Sequence, residues 1–333
     1  MSRKINWGLI GLGKMAHVFL SSLKEVPNSV VKGIASKNSV NSKRISNLLS
    51  VEKKYCFDDY SDLIKCEEIE IVYITLPNHL HFSVAKEALE NQKHVLVEKP
   101  ACLNFREVKV LEDLALKNNL LFVEGFFYLH NPITKELLKI VQSGTIGNIL
   151  KICANIGFEI VPNLNIPSKF VDKFKKQHRL FNPKMGGGCI FDLGCYTLSF
   201  LQLLTKLEKV KILEKNLYNG FKKVEIDAKI EIDINNNIKA ILHSSFIETL
   251  DQKITIIGSQ GDVTIENMWS CINTTFLVNN RHIEKPAQFQ IPFSYQVDQI
   301  NNCIVEENHN FENLPYSNFK SLNNIKLIEL WRN

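Results

Sequence analysis

The sequence lacks the features of several protein classes. It has no apolar run long enough to cross a bilayer, because the strongest one, residues 120–129, contains Glu124 and Gly125. Its net charge is only +5 over 333 residues, with cationic and anionic side chains interspersed, which argues against a nucleic-acid-binding surface. None of its eight cysteines forms a C-x-x-C pair or stands at zinc-finger spacing from a histidine. We therefore expect a cytoplasmic protein with reduced thiols, no metal, and neither a nucleic acid nor a membrane as partner.

Two hydrophobic patterns divide the chain. Residues 1–123 alternate apolar strands with amphipathic helices, which is typical of a parallel sheet covered on both faces. Between residues 224 and 234 apolar side chains alternate strictly with charged ones, which indicates an antiparallel strand with one exposed face. The sequence thus predicts an α/β protein. It has a dinucleotide-binding Rossmann domain at 1–123 and an α+β, substrate-binding domain with a large, mostly antiparallel sheet at 124–333.

A glycine loop follows the first predicted strand. In such a loop the first glycine makes a tight turn, the second lets the backbone approach a pyrophosphate, and a small third residue lets helix and strand pack. The following helix N-terminus offers free N–H groups and the positive end of a dipole. The alternative is an ordinary glycine turn. We predict that five loop residues contact a dinucleotide: Gly11, Gly13, Lys14, Met15 and Ala16.

The end of the second strand favours a phosphorylated dinucleotide. NAD sites usually carry an Asp or Glu about 20 residues past the glycine loop, where it binds the ribose 2′-OH. No acidic residue occurs between Glu25 and Glu52. Ser36 and Lys37 stand there instead, and a hydroxyl with a cation suits a 2′-phosphate that a carboxylate would repel. We predict NADP(H) in preference to NAD(H). The alternative is that Lys37 is only a solvated loop lysine.

Two further strand ends carry polar residues, and ligands of open α/β sheets lie at the carboxyl ends of the strands. Lys99 follows one of these strands, and Pro100 fixes the turn that would aim it at the nicotinamide. The residues around these two ends that we expect to contact the cofactor are Thr75, Leu76, Pro77, Asn78, His81, Glu98 and Lys99.

A third cluster lies in the second domain. Asp192 and Tyr196 are four residues apart after the glycines at 186–188, so they share one face of a predicted helix. Lysine and tyrosine both have pKa values of about 10, which a cationic nicotinamide and each other can lower. We hypothesise that Tyr196 is the general acid/base, that Lys99 holds the substrate oxygen and depresses the tyrosine pKa, and that Asp192 orients lysine or substrate.

Other interpretations of this cluster stay open. Lys99 itself could transfer the proton, Tyr196 could be a core tyrosine, and Asp192 could cap its helix. Arg179 could bind substrate together with Lys99, Asp192 and Tyr196, or it could form an exposed ion pair. We expect substrate identity to depend on loops such as residues 161–176, which carry no readable motif.

These motifs together resemble the Gfo/Idh/MocA family, named for glucose–fructose oxidoreductase and inositol dehydrogenase. The segment that begins at Arg179, and Tyr196 where many members have His, look like the branch that contains dimeric dihydrodiol dehydrogenase and glucose–fructose oxidoreductase. Leu129 departs from the pattern, since members commonly carry a basic residue there. The resemblance covers nearly the whole chain, and its marks are Gly11-x-Gly13-x-x-Ala16, Thr75-Leu-Pro-Asn78 with His81, Glu98-Lys99-Pro100 and Gly186-Gly-Gly-x-x-x-Asp192-x-Gly-x-Tyr196.

The resemblance implies a dehydrogenase of carbohydrate metabolism. Its reaction would be nicotinamide-dependent oxidation of a hydroxyl on a sugar, polyol or diol, or the reverse reduction. The resemblance also implies a cis Lys99–Pro100 bond, and a homodimer or homotetramer formed through the open face of the second sheet. Two alternatives are an NAD(H)-dependent sugar-nucleotide or amino-sugar dehydrogenase, and a nicotinamide-binding sensor or partner protein that does no chemistry.

Overall fold

The computed structural model describes residues 3–160, 179–220, 223–284, 288–308 and 319–333. The chain forms two units, one of Met1–His130 with Gln288–Leu314 and one of Asn131–Ala287 with Pro315–Asn333. The sequence-based division differs, since it lies after residue 123 and assigns the 288–314 segment to the second domain.

The first unit contains a parallel sheet. Its described strands are β1 (Ile5–Ile10), β2 (Ser29–Ala35), β3 (Cys56–Phe57), β4 (Ile71–Ile74), β5 (His94–Val97) and β6 (Phe122–Glu124). They lie in the order β3-β2-β1-β4-β5-β6, and every pairing is parallel. The chain therefore winds outward in opposite directions from β1 and β4. A crevice for a ligand opens at the carboxyl ends of the strands where the winding reverses.

The helices start at recognisable caps. The Asn38 side chain accepts a hydrogen bond from the Asn41 N–H. The Asn131 side chain accepts one from the Ile133 N–H, and Pro132 follows in the first turn of that helix. The described α-helices are α1 (Lys14–Ser22), α2 (Ser39–Leu49), α3 (Tyr60–Lys65), α4 (His81–Glu90), α5 (Phe105–Lys117), α6 (Pro132–Gln142), α7 (Cys195–Leu204), α8 (Pro292–Val305) and α9 (Ser321–Arg332).

Helix α8 belongs to the core of the first unit, although it lies near the end of the chain. Phe293 is fully buried, and its ring centroid lies 6.0 Å from that of Phe19 and 5.8 Å from that of Tyr73. The Trp7 indole N–H donates a hydrogen bond to the Asn301 side-chain oxygen at 3.1 Å. These contacts join α8 to α1, β1 and β4, which is why the unit includes a C-terminal segment.

The second unit is built on a mostly antiparallel sheet. Its described strands are β7 (Ile149–Gly157), β8 (Val210–Asn219), β9 (Glu225–Ile234), β10 (Ile238–Ser245), β11 (Lys253–Gly258), β12 (Asp262–Glu266), β13 (Thr275–Val278) and β14 (Arg281–His282). They lie in the order β14-β13-β12-β11-β7-β10-β9-β8. Only the β7–β10 pairing among these strands is parallel. The predicted fold class, a Rossmann domain followed by an α+β domain, is therefore confirmed.

The alternation predicted for residues 224–234 is present in β9, with one exception. The apolar side chains of the strand are buried, whereas Glu225, predicted to be exposed, is only 4% exposed. Its carboxylate accepts hydrogen bonds from the Arg332 guanidinium of α9, which explains why a charged side chain can be buried there.

One helical stretch of the described chain, Pro183–Leu204, is long and apolar enough to cross a membrane by length and composition alone, which the expectation drawn from residues 120–129 missed. However, 83% of its most apolar window is buried inside the protein. The stretch is therefore accounted for as a core helix, and its final part is α7.

Candidate active site

The glycine loop contains one glycine that the fold requires and one that faces open space. Gly11 has φ +86°, and a Cβ there would lie 2.9 Å from Leu76 Cδ2 and 3.1 Å from the Thr75 carbonyl oxygen. Gly13 has an ordinary φ of −86°, and among the described residues, its two chain neighbours aside, no atom lies within 4 Å of the position a Cβ would take. Gly13 is therefore not required for packing. The space beside its backbone is available to a ligand.

The N-terminus of α1 follows directly at this open position. Gly13 is its N-cap, no side chain caps it, and its first turn contains no acidic residue. Lys14 is exposed, Met15 packs partly against the core, and Ala16 is fully buried. The small Ala16 thus lets helix and sheet approach, as predicted, and the uncapped N–H groups and dipole suit an anion such as a pyrophosphate.

The end of β2 lies next to the glycine loop. Gly11 N–H donates to the carbonyl of Ala35 at 3.0 Å, and the Asn41 side chain of α2 donates to the carbonyl of Leu12 at 3.3 Å. The predicted phosphate-binding pair differs in exposure. Ser36 is buried and accepts a hydrogen bond from the Asn38 N–H, whereas Lys37 is exposed. The Lys37 Nζ lies 5.4 Å from the ring centroid of Tyr60, a neighbour that the sequence did not indicate.

The end of β4 is tied to the same loop. The Thr75 hydroxyl donates to the carbonyl of Gly11 at 2.7 Å. Pro77 precedes a short 3₁₀ turn that begins with the buried Asn78. The Leu76 carbonyl lies 2.8 Å from His81 Nε2. Glycine loop and β4 loop therefore meet at one edge of the sheet.

Lys99 lies in a turn at the end of the neighbouring strand β5, with the cis peptide bond to Pro100 that the resemblance implies. Lys99 is partly buried, and two buried carboxyl groups accept hydrogen bonds from protein groups close to this turn. Glu98 accepts a hydrogen bond from the Tyr73 hydroxyl, and Glu124 accepts one from the Ala101 N–H at 2.9 Å. Tyr73 and Glu124 were not predicted. Only the position of Glu124 at a strand end could have suggested it.

A cysteine next to this turn is chemically inert. Cys102 is fully buried, and burial is the main factor that raises the pKa of its thiol, with nearby carboxylates adding to the effect. The thiol therefore stays protonated and unreactive. It is not a nucleophile at the edge of the sheet where Lys99 lies.

In the second unit, Asp192 and Arg179 lie together. Asp192 is part of a π-helical turn, Ile190–Gly194, that continues into α7. Its Oδ1 lies 3.4 Å from both Nη atoms of Arg179, and its side chain is 15% exposed. Cys189, not Asp192, occupies the N-cap position. Asp192 is therefore an ion-paired carboxylate inside the helix, and the helix-cap interpretation is wrong.

Tyr196 lies four residues after Asp192, on the same helical segment, and it is partly buried. Its ring centroid lies 5.9 Å from that of Trp269, whose indole N–H donates to the carbonyl of Asn155 at 2.9 Å. Trp269 lies shortly after the C-terminal end of β12, in a segment without a periodic pattern, so no pattern in the sequence indicated its role. The loop at 161–176, expected to select the substrate, lies outside the described residues.

Comparison with known proteins gives two family matches. Residues 5–126 match a model described as "Oxidoreductase family, NAD-binding Rossmann fold", and residues 134–264 match the "GFO/IDH/MocA C-terminal domain". The first match contains the glycine loop and Lys99. The second contains Asp192 and Tyr196.

Curated relatives are named as dehydrogenases. A trans-1,2-dihydrobenzene-1,2-diol dehydrogenase of Xenopus tropicalis is 25% identical over 312 residues, covering 90% of this chain and 89% of the relative. A D-xylose 1-dehydrogenase (NADP(+)) of Hypocrea jecorina is 26% identical over 209 residues, covering 59% of this chain and 52% of that one.

Solved structures share the fold. An aldose-aldose oxidoreductase from Caulobacter crescentus, complexed with glycerol, has a TM-score of 0.84 at 20% identity and covers 99% of this chain and 96% of its own. A 3-ketoreductase from Actinomadura kijaniata, in complex with NADP and TDP-benzene, has a TM-score of 0.83 at 21% identity and covers 99% and 97%. At these identities the likeness concerns the fold alone.

Proposed function

Because the chain belongs to the Gfo/Idh/MocA family of oxidoreductases, we propose that it transfers a hydride between NADP(H) and a hydroxyl or carbonyl carbon of a sugar, polyol or diol. The observation that carries the proposal is the shared edge of the first sheet. There the open face of Gly13 and the Lys99 turn follow strands of one parallel sheet. The names of the curated relatives support both the diol or sugar substrate and the phosphorylated cofactor.

The residues present fit a dinucleotide. The space beside Gly13 and the uncapped start of α1 accommodate the pyrophosphate, and the partly buried Thr75–Gly11 hydrogen bond holds the loop in that shape. Lys37 is an exposed cation at the end of β2, where a ribose 2′-phosphate is expected. When bound, the nicotinamide accepts or supplies the hydride.

The protein side chains in this proposal hold the substrate and move one proton. Lys99 binds the substrate oxygen with its ammonium, which stabilises a developing alkoxide. Tyr196 exchanges a proton with that oxygen as general acid/base. Asp192 orients Lys99 or the substrate. Its contact with the Arg179 guanidinium, at 3.4 Å, restrains the position of the carboxylate.

The test of this function is a Lys99→Met variant assayed over a panel of sugars, polyols and diols. We expect turnover to fall by about 10³-fold or more, since the variant removes the charge that binds the reacting oxygen. NADPH affinity, measured by the fluorescence of the reduced cofactor, should stay nearly unchanged. Lys117→Met, an exposed lysine at the end of α5, is the matched control. Substantial residual turnover in Lys99→Met would refute the role of the lysine.

The preference for NADP(H) has its own test. A Ser36→Asp, Lys37→Asp double variant places carboxylates where the 2′-phosphate is expected, so repulsion should lower the ratio of NADPH to NADH affinity at least about tenfold. An unchanged ratio would show that the end of β2 does not select the cofactor. A wild type that binds NADH more tightly than NADPH would favour the alternative of an NAD(H)-dependent sugar-nucleotide or amino-sugar dehydrogenase.

The proposal includes a cytoplasmic compartment and a homo-oligomeric state. All eight cysteines are free, which supports a reducing, cytoplasmic compartment. A homodimer or homotetramer through the outer face of the second sheet is supported by the exposed Tyr218 and Ile257. Sedimentation of the wild type and of Tyr218→Asp with Ile257→Asp tests the assembly. The same mass for both chains would refute this interface.

A further inference from the structure

His81 connects the two loops that flank the proposed reaction site in the first unit. Its side chain is fully buried. Nε2 lies 2.8 Å from the Leu76 carbonyl oxygen of the β4 loop, and Nδ1 lies 3.0 Å from the Pro100 carbonyl oxygen of the Lys99 turn. Both of these groups are backbone carbonyls, which only accept hydrogen bonds. A neutral imidazole has one N–H, so it can satisfy only one of them. An imidazolium satisfies both.

His130 of the same unit shows the opposite arrangement. Its Nδ1 lies 2.8 Å from the Gln299 amide oxygen, and its Nε2 lies 3.2 Å from the Gln296 amide nitrogen. One partner accepts and the other donates, which matches a neutral ring. Burial lowers the pKa of His130 to about 4, although the bond to Gln299 opposes this effect. The chain therefore contains two buried histidines with different hydrogen-bond requirements.

The charges around the Lys99 turn favour a cation at His81. Glu98 is next to Lys99 in sequence, and Glu124 binds the N–H of Ala101, immediately after Pro100. Both carboxylates are buried, at 8% and 5% exposure. An imidazolium that binds the Pro100 carbonyl lies at the same turn as these two buried carboxyl groups, and their proximity lowers the cost of burying its charge.

We propose that His81 is a positioning residue, an imidazolium that donates hydrogen bonds to both loops and so fixes Lys99 relative to the β4 loop. The proposal rests on the proposed function for the role of Lys99. It differs from the sequence-based expectation that His81 contacts the cofactor, because both ring nitrogens already bind the protein backbone. Since a shift of about 1 Å in a reacting group can cost about 10²-fold in rate, such a connection matters for turnover without touching the substrate.

The protonation of His81 can be measured directly. The nine histidines of the full chain are labelled with ¹⁵N, and spectra are recorded at a pH of about 8, where an unperturbed histidine is neutral. The signals of His81 are assigned by their loss in His81→Asn or His81→Gln. We expect two protonated ring nitrogens for His81, and one protonated and one bare nitrogen for His130. A bare ring nitrogen on His81 would overturn the proposal.

Kinetics test the positioning role. We expect His81→Asn to lower kcat about 10²-fold while the substrate KM and the NADPH Kd stay within about threefold of the wild type. Its matched control is His79→Asn, an exposed histidine two residues earlier, which should behave like the wild type. A loss caused by a weaker NADPH Kd, or a kcat equal to that of the wild type, would overturn the proposal.

The two measurements separate this inference from the proposed function. A wild-type chain inactive on every sugar, polyol and diol would refute the function. The nitrogen spectrum would still decide, without any substrate, whether His81 is the imidazolium that joins the loops. If His81→Asn does not fold, the wild-type spectrum, with His81→Gln for assignment, keeps the protonation state open to refutation.

Discussion

Alanine substitutions at the two glycines of the first loop should have opposite effects. Gly13→Ala should fold normally. Its φ of −86° suits alanine, and beyond the two adjacent residues no atom in the described part of the chain lies within 4 Å of the new Cβ. Loss of glycine at the N-cap costs about 0.5–1 kcal/mol, and lower entropy of the unfolded chain returns about 0.4–1 kcal/mol. We expect the free energy of unfolding to stay within about 1 kcal/mol of the wild type.

The same Cβ occupies the space through which a pyrophosphate would approach the backbone. Displacing the phosphates should remove one charge-assisted hydrogen bond, worth about 1.5–3 kcal/mol. This corresponds to a rise of about tenfold to a hundredfold in the NADPH Kd. Titration of NADPH fluorescence measures the Kd, and urea denaturation measures the stability of the same preparation.

Gly11→Ala is the contrasting variant. Its φ of +86° costs an alanine about 1–2 kcal/mol, and contacts of 2.9 Å with Leu76 Cδ2 and 3.1 Å with the Thr75 carbonyl add to this. We expect it to lose stability. If Gly13→Ala bound NADPH as tightly as the wild type, the idea that this loop holds the pyrophosphate would be wrong.

Three further predictions concern the folded structure. Phe293→Ala should lower the free energy of unfolding by about 3–5 kcal/mol in urea denaturation, whereas Val305→Ala, exposed on the same helix, should change it by less than about 0.5 kcal/mol. Burial raises the pKa of Glu25, but bonds from Ser294 and from the backbone of residues 291 and 290 outweigh this and lower it overall. Its ionised form therefore stabilises the fold above a pH of about 4.5, and this contribution is lost as pH falls through the lowered pKa. Glu25→Gln should be less stable than the wild type at pH 6, and the difference in unfolding free energy should narrow as the pH falls below about 4.5. Gly188→Ala, at φ +120° with a new Cβ 2.8 Å from the buried carboxyl of Glu225, should lower the melting temperature, and a wild-type value would contradict the packing described for this turn.

Much of the proposed site follows from local sequence. The strand, glycine loop and helix that form the start of the site occupy consecutive residues, and the structure places them as β1, the loop and α1. The contacts around Lys99 could not be predicted from local sequence. Tyr73, Glu124 and His81 come from two strands and a helix, and the turn at Lys99 brings them together only when the sheet has formed.

The sequence by itself determined the elements whose pattern repeats within a few residues: the glycine turn, the alternation of β9, and the helix that carries Asp192 and Tyr196. The tertiary structure decided which distant segments pack together. Trp7 and Asn301 are 294 positions apart, yet their hydrogen bond helps place α8 in the first unit. Glu225 follows the pattern of an exposed residue, yet Arg332 allows it to be buried. Such choices depend on which partners the whole chain can bring to a buried polar group, since an unpaired one would cost several kcal/mol, roughly the margin by which a domain is stable.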